Sequence, residues 1–263
     1  MAQVINTNIM SLNAQRNLNQ TNQGLSTALQ RLSSGLRINS AMDDAAGLAV
    51  AQKMDSQIRG MTVAARNASD GISYAQTADT ALATVSDQLQ RMRELATQSL
   101  NGTLSDTERD KIDVEFQALQ AEAARIQGAA KLNGQSVFAT FNFQVGADAA
   151  DSISGSFSSV AVTGADVKTS AGASTAMASI DSWLGDVATN RAEIGGMQSR
   201  LTFTISYLEG AIENQSAAKS RIMDADFGAE TAALTRAQIL QQAGTAMLSQ
   251  ANAVPQNVLS LLR

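Results

Sequence analysis

From Met54 the apolar residues of this chain recur at intervals of four and three: Met54, Ile58, Met61, Ala65, Ala68, Ile72 and Ala75. Only a helix brings that spacing to one face, and a repeat of about 3.5 residues asks for another helix against that face. Asp79 interrupts the row, either to set register or, the reading we prefer, to face solvent. Leu82 restores the row, and Val85, Leu89, Met92 and Ala96 continue it after a one-residue change of phase. The spacing predicts one helix over about residues 44–100, on the order of 80 Å long at ~1.5 Å per residue. A rod needs that length, whereas a single globular domain seldom does.

Other segments read the same way. Ser105 and Glu108 have capping-box spacing, and Ile112, Phe116, Leu119, Ala123 and Ile126 follow at helical intervals, so a second helix starts near Asp106. Asn101-Gly102 marks the turn before it and Asn133-Gly134 ends the helical region. Val137, Ala139, Phe141, Phe143 and Val145 alternate as a strand does, and Ile153, Phe157, Val160 and Val162 suggest one or two more short strands. Ten of the 24 residues from 152 to 175 are Ser or Thr, which predicts an exposed, modifiable stretch. Helical periodicity returns near residue 174 through Ile180, Leu184, Val187, Ile194, Met197, Leu201, Ile205, Leu208 and Ile212, with Gly195-Gly196 a weak point.

Both chain ends are amphipathic. Leu18, Leu25, Leu29, Leu32 and Leu36 form one stripe. Ala233, Ala237, Leu240, Gly244, Met247, Ala251, Val254, Val258 and Leu261 form another, and Pro255 within it must kink the helix or end its regular part. Each end needs a partner, and the obvious partner is the other end. A seam lined by Ala and Gly buries little area at ~25 cal/mol per Å², against an ordering cost of ~1–2 kcal/mol per residue. The ends are therefore expected to order only when identical neighbours add apolar contacts. The fold class is mainly α: a long antiparallel coiled-coil-like bundle formed by N- and C-terminal segments, with a small β-hairpin region in the middle.

Composition excludes several functions. The 263 residues include no His and no Cys, so imidazole bases, thiol nucleophiles and most zinc or iron sites are ruled out. No nucleophile–base constellation, metal site or cofactor site is expected, and the chain reads as no enzyme. The net charge of −5 argues against nucleic-acid binding. No stretch of 18 apolar residues is present to span a membrane, and the first twenty residues lack the apolar core of a cleaved signal.

Three segments resemble bacterial flagellin: RLSSGLRINSAMDDAAGLAVAQKM (31–54), LQRMRELATQSLNGTLSDTER (89–109) and SRIMDADFGAETAALTRAQILQQAGTAMLSQANAVPQNVLSLLR (220–263). The resemblance spans about 1–135 and 175–263. It implies a helical homopolymer, the filament of the bacterial flagellum, secreted through a type III export channel and serving motility. It further implies a cap protein at the growing tip, an export chaperone at the C-terminal helix, a hook–filament junction protein as neighbour, and Toll-like receptor 5 as host receptor. It implies an inner terminal coiled-coil domain (1–42 with 224–263), a rod domain (43–135 with 173–223) and a β-rich insert (136–172). The insert is short, so a minimal flagellin without large outer domains is expected. The metalloprotease that some members carry there needs histidines this chain lacks. Rival readings are the hook–filament junction protein itself and, from another class, an intracellular coiled-coil adaptor.

The self-assembly residues expected on this reading are Leu25, Leu29, Leu32, Leu36, Leu240, Met247, Val254, Val258 and Leu261. Carried over by motif, Gln90, Arg91 and Leu95, with Glu115 from the next helix, would meet the receptor or a neighbouring subunit. The bland alternative for the Arg91–Arg93–Glu94 run is a solvated helix face. Asp43 and Asp44 read as helix-start carboxylates, Ser40 with Asp43 having capping-box spacing, rather than as a metal or acid–base pair. Asp224, Asp226 and Phe227 read as a helix joint, Asp226 capping and Phe227 stapling.

Overall fold

The computed structural model describes residues 7–260, with side chains through residue 253. Val254 and Val258 thus lie in a helix whose side chains there are outside the described set, and Leu261 lies outside the described residues. Helices α1 (Ile9–Ser34), α2 (Ala45–Ser99), α3 (Asp106–Ala129), α4 (Ser170–Met223) and α5 (Phe227–Ser260) alternate with strands β1 (Lys131–Leu132), β2 (Gln135–Ser136), β3 (Thr140–Gln144) and β4 (Ser152–Ser156). Two compact units form, one from Met1–Ser56 with Asn214–Arg263, the other from Gln57–Glu213. The divisions fall inside α2 and α4 rather than at the turns near 42 and 224.

In the Gln57–Glu213 unit the core is a helix-packing core. The buried row of α2 runs Met61, Ala64, Ala68, Gly71, Ala75, Ala78, Leu82, Val85, Leu89, Met92, Ala96 and Ser99. Its intervals of three and four never break. The expected change of phase at Asp79 is therefore corrected: Ala64 and Gly71, rather than Ala65 and Ile72, carry the row, and Ala78 occupies the position Asp79 was thought to interrupt. Asp79 is half-exposed but not simply solvated, because Arg191 Nε of α4 donates to its Oδ1 at 2.7 Å. At Gly71 the fit is close. A Cβ there would lie 3.0 Å from Leu201 Cδ1 and 3.1 Å from Phe143 Cδ1, so α4 and β3 come onto α2 where it has no side chain. Phe116, Leu82, Leu89, Ile180, Ile194 and Leu201 fill the interior, each large apolar side chain stabilising by ~1.5–3 kcal/mol on burial.

The β-region follows from its turn residues. Asn133 (φ 50°) and Gly134 (φ 79°) both sit in the left-handed region, which closes the two-residue β1–β2 hairpin. β3 and β4 pair antiparallel from Thr140↔Ser156 to Gln144↔Ser152. Phe141 packs on Tyr74 with ring centroids 4.9 Å apart. The chain after β4 forms no further strand. Phe157, Val160, Val162, Ala165 and Val167 nevertheless alternate inward, while all ten Ser and Thr of 152–175 are exposed. The expectation of a wholly exposed stretch is thus corrected: only its hydroxyl side faces out.

This strap has no neighbouring strand, and helix side chains replace one. Val160 N–H donates to Gln127 Oε1 at 2.7 Å, and Gln127 Nε2 donates back to the Val160 carbonyl at 3.0 Å. Val167 N–H reaches Asp113 Oδ1 at 3.0 Å, while Ser99 Oγ donates to the Val167 carbonyl at 2.6 Å. Gln117 Nε2 takes the Ala165 carbonyl at 2.9 Å. These pairs satisfy backbone groups that burial would otherwise leave at a cost of ~1–3 kcal/mol each.

Candidate assembly surfaces

In the unit formed by the chain ends, α1 and α5 lie against each other. Asn8 caps α1 through Ser11 N–H (3.1 Å), and its Nδ2 reaches the Ala251 carbonyl at 2.8 Å. Gly35, in the left-handed region at φ 73°, ends the helix with its N–H on the Arg31 carbonyl. The chain then turns against the start of α5. Arg37 N–H donates to Met223 O at 2.6 Å and Ala225 N–H to Gly35 O at 2.9 Å. Leu36 bridges Asp224 there and is half-buried beside Ile38, Ala51 and Met223. Leu36 is therefore not part of the α1 stripe, because a left-handed glycine stops the helix before it.

Asp226 accepts from Gly228 N–H at 2.8 Å and from Ala229 N–H at 3.2 Å, which makes it the N-cap of α5. Phe227 is the first residue of α5, past the position a staple uses, and is 57% exposed with its Cζ 4.0 Å from where a Cβ on Gly35 would sit. Asp44 is the carboxylate that caps α2, taking Gly47 N–H at 2.8 Å. Asp43 instead closes the preceding turn, its Oδ2 accepting from Ser40 N, Ser40 Oγ and Asn39 N within 3.1 Å. The Ser40 backbone N–H, then its hydroxyl and the Asn39 N–H, hold the Asp43 carboxyl below its ordinary pKa. The Ser40–Asp43 spacing was legible, but the capping role belongs one residue later.

The row of α1 that turns toward α5 is Ser11, Ala14, Leu18, Thr21, Leu25, Ala28 and Leu32, and that of α5 is Glu230, Leu234, Ala237, Gln241, Gly244, Leu248 and Ala251. Small residues set the separation: a Cβ on Gly244 would sit 3.0 Å from Leu18 Cδ1. Polar pairs fix the register, with Gln241 Nε2 on Asn22 Oδ1 at 3.0 Å and Arg31 3.9 Å from Glu230. The expected seam residues thus divide. Leu25 and Leu32 are half-buried within the chain. Leu29 (49% exposed), Leu240 (51%) and Met247 (66%) are left largely open by the intrachain contact. Ile9, Met10, Leu12 and Ile239, which the sequence reading did not single out for assembly, are exposed with them. Part of the signal was present: Ile9 and Leu12 read, with Ile5, as a short apolar segment out of phase with the leucine stripe, and Ile239 precedes Leu240. Met10, Leu18, Leu240, Gly244 and Met247 line one open groove of about 480 Å³ between the helices.

On the other unit, Gln90, Arg91 and Glu115 are each exposed, and Arg91 meets Glu115. Arg91 donates to Glu94 at 2.8 Å and to Glu115 at 2.9 Å. Glu94 first, then Glu115, raises the guanidinium above its ordinary pKa. Leu95 does not join them. It is 2% exposed in the core, because its position on α2 points toward the buried row. No group of three or more acidic residues able to hold a metal occurs among the described residues, and no described helix is long and apolar enough to cross a membrane.

A chain whose two ends pair into one unit and leave an apolar row uncovered belongs to the self-associating helical structural proteins. Comparison with known proteins narrows this. The family model of the bacterial flagellin N-terminal helical region matches residues 5–142, and that of the bacterial flagellin C-terminal helical region matches 177–262. Similar proteins include the flagellin of Halalkalibacterium halodurans, 44% identical over 272 residues that cover 99% of this chain and 100% of that protein. The flagellar filament 33 kDa core protein of Treponema phagedenis is 40% identical over 285 residues, covering 99% and 100%. The crystal structure of Bacillus cereus flagellin matches with a TM-score of 0.51 at 28% identity, over 54% of this chain and 88% of that one. The chain belongs to the bacterial flagellins. It is a structural subunit of the flagellar filament, a homopolymer outside the cell.

Proposed function

We propose that the exposed apolar row of α1 and α5 is where one subunit docks on the next. The observation that carries this is the row's exposure in a chain whose ends are already paired: Leu29, Leu240 and Met247 remain open beside a completed intrachain seam. Single exposed apolar residues are ordinary, but the open groove that Met10, Leu240 and Met247 share marks an interaction surface. The occupant is a second copy, since the family builds a homopolymer. On this reading residues 1–42 with 224–263 act as the inner assembly domain, 43–135 with 173–223 as the rod, and 136–172 as its β-insert. Val254, Val258 and Leu261 extend the docking row. The subunit works structurally and catalyses nothing.

The remaining partners follow the resemblance: the tip cap, an export chaperone at α5, the hook–filament junction protein, and Toll-like receptor 5 through Gln90, Arg91 and Glu115. The last is supported by the exposure of that trio, with Leu95 acting from beneath as packing.

The test is the double variant Leu240→Asp with Met247→Asp. Both side chains are more than half exposed, so the charges leave the free subunit helical by circular dichroism. Seeded elongation, followed by negative-stain microscopy, is expected to stop. Filaments of normal length and number from a folded double variant would remove the proposal.

A further inference from the structure

The described methionines range from buried to open, with Met54 and Met177 half-buried between the extremes. Met61, Met92, Met197 and Met223 are buried, whereas Met10 (62%), Met42 (94%) and Met247 (66%) are open. Met10 and Met247 both line the α1–α5 groove. Met42 sits in the turn before α2, away from it. We propose that Met10 and Met247 form a modification site for peroxides, and that oxidation of their sulfurs stops a free subunit from joining the filament. The inference rests on the reading that a second copy covers this groove.

The chemistry is a two-electron oxygen transfer. The thioether sulfur attacks one peroxide oxygen, the O–O bond breaks and an S–O bond forms. The other oxygen leaves with the proton as water, so sulfur is oxidised and peroxide reduced. The product is a chiral, strongly polar sulfoxide in place of a flexible apolar side chain. In the open groove that oxygen keeps its water. Once a neighbouring copy closes over it, the hydration is lost, and burying an unpartnered polar group is unfavourable. The penalty therefore falls on assembly and not on folding. Methionines that are already buried react slowly for want of access, and Met10 and Met247 join them once the groove is covered. Peroxide accordingly acts on subunits in transit and spares the finished filament.

Free subunit treated with hydrogen peroxide, mapped by peptide mass spectrometry and then tested by seeded elongation, decides the matter. Oxygen is expected first on Met10, Met42 and Met247, with elongation falling at least tenfold. Methionine sulfoxide reductase should restore it, without recourse to any variant. The pair Met10→Leu and Met247→Leu should elongate before and after peroxide. Met42→Leu, at a position outside the groove, should elongate before peroxide and be blocked after it like the parent chain. Oxidised parent subunits that elongate at the untreated rate would overturn the inference. If Met10 and Met247 were at the same time protected in filaments, the docking surface would stand. Equal oxidation of both residues in filaments and in free subunits would remove the docking surface and the inference together.

Discussion

Gln127 shows how much one amide can hold. It faces Val160 as a strand would, donating and accepting at once, at a point where Val160 is buried. Gln127→Ala leaves a buried N–H and a buried carbonyl without partners, and stability should fall by about 2 kcal/mol or more, read from the shift of the urea midpoint at constant slope. Nothing in the sequence marks Gln127, Asp113 or Gln117 as different from other polar residues on a helix, because their role depends on a strap some thirty to fifty residues away. The carboxylates at turns were more legible. Asp43 and Glu108 each accept from the backbone and hydroxyl of a serine three residues earlier. The backbone N–H is the largest cause of the lowering at both, with the hydroxyl second. A carboxyl whose folded pKa is lowered contributes its full stability above its ordinary value, 3.8 for Asp43 and 4.5 for Glu108, and loses it as pH falls through the folded value. Titration by NMR should find both below those ordinary values, and Ser105→Ala should bring Glu108 back up toward 4.5.

Among the elements, α2 was legible in position and length but not in which of two adjacent small residues turns inward. Ala64 and Ala65 are identical, and Gly71 beside Ile72 looks the weaker core residue. Ile72 is hydrophobic enough to win on sequence grounds. Packing decides otherwise, since Leu201 and Phe143 occupy the space a side chain at 71 would need. A pair of substitutions separates propensity from packing. At Gly196 on α4 a Cβ meets nothing within 4 Å, so Gly196→Ala should stabilise by about 0.5–1 kcal/mol. Gly71→Ala gains the same propensity but must overpack, at ~1–3 kcal/mol, and should come out destabilised by about 1 kcal/mol in the same assay. The end of α1 was legible too, had Ser-Ser-Gly been weighed as a stop above the Leu spacing that runs through it to Leu36. The hairpin at Asn133-Gly134 needed no tertiary knowledge, because both residues tolerate the left-handed backbone that a two-residue turn demands.

For the whole molecule, the two units differ in how they are stabilised. The Gln57–Glu213 unit encloses a continuous core, whereas the described part of the chain-end unit buries mainly small residues and leaves its leucines half-buried or exposed. Amide exchange on the free subunit at low concentration should therefore show strong protection in 75–96 and 176–208 and weak protection in 9–34 and 227–253. Incorporation into filaments should raise the second set by orders of magnitude. Equal protection of both sets in the free subunit would mean that the ends are complete without neighbours.

The backbone bonds Arg37 N–Met223 O and Ala225 N–Gly35 O tie together stretches made at opposite times in synthesis. A ribosome that stalls anywhere before residue 223 releases a chain whose first helix has no mate and whose clip cannot close. The two halves of the pair lie on opposite sides of the Gln57–Glu213 unit along the chain, so an interrupted product lacks the paired unit that the proposed docking row needs.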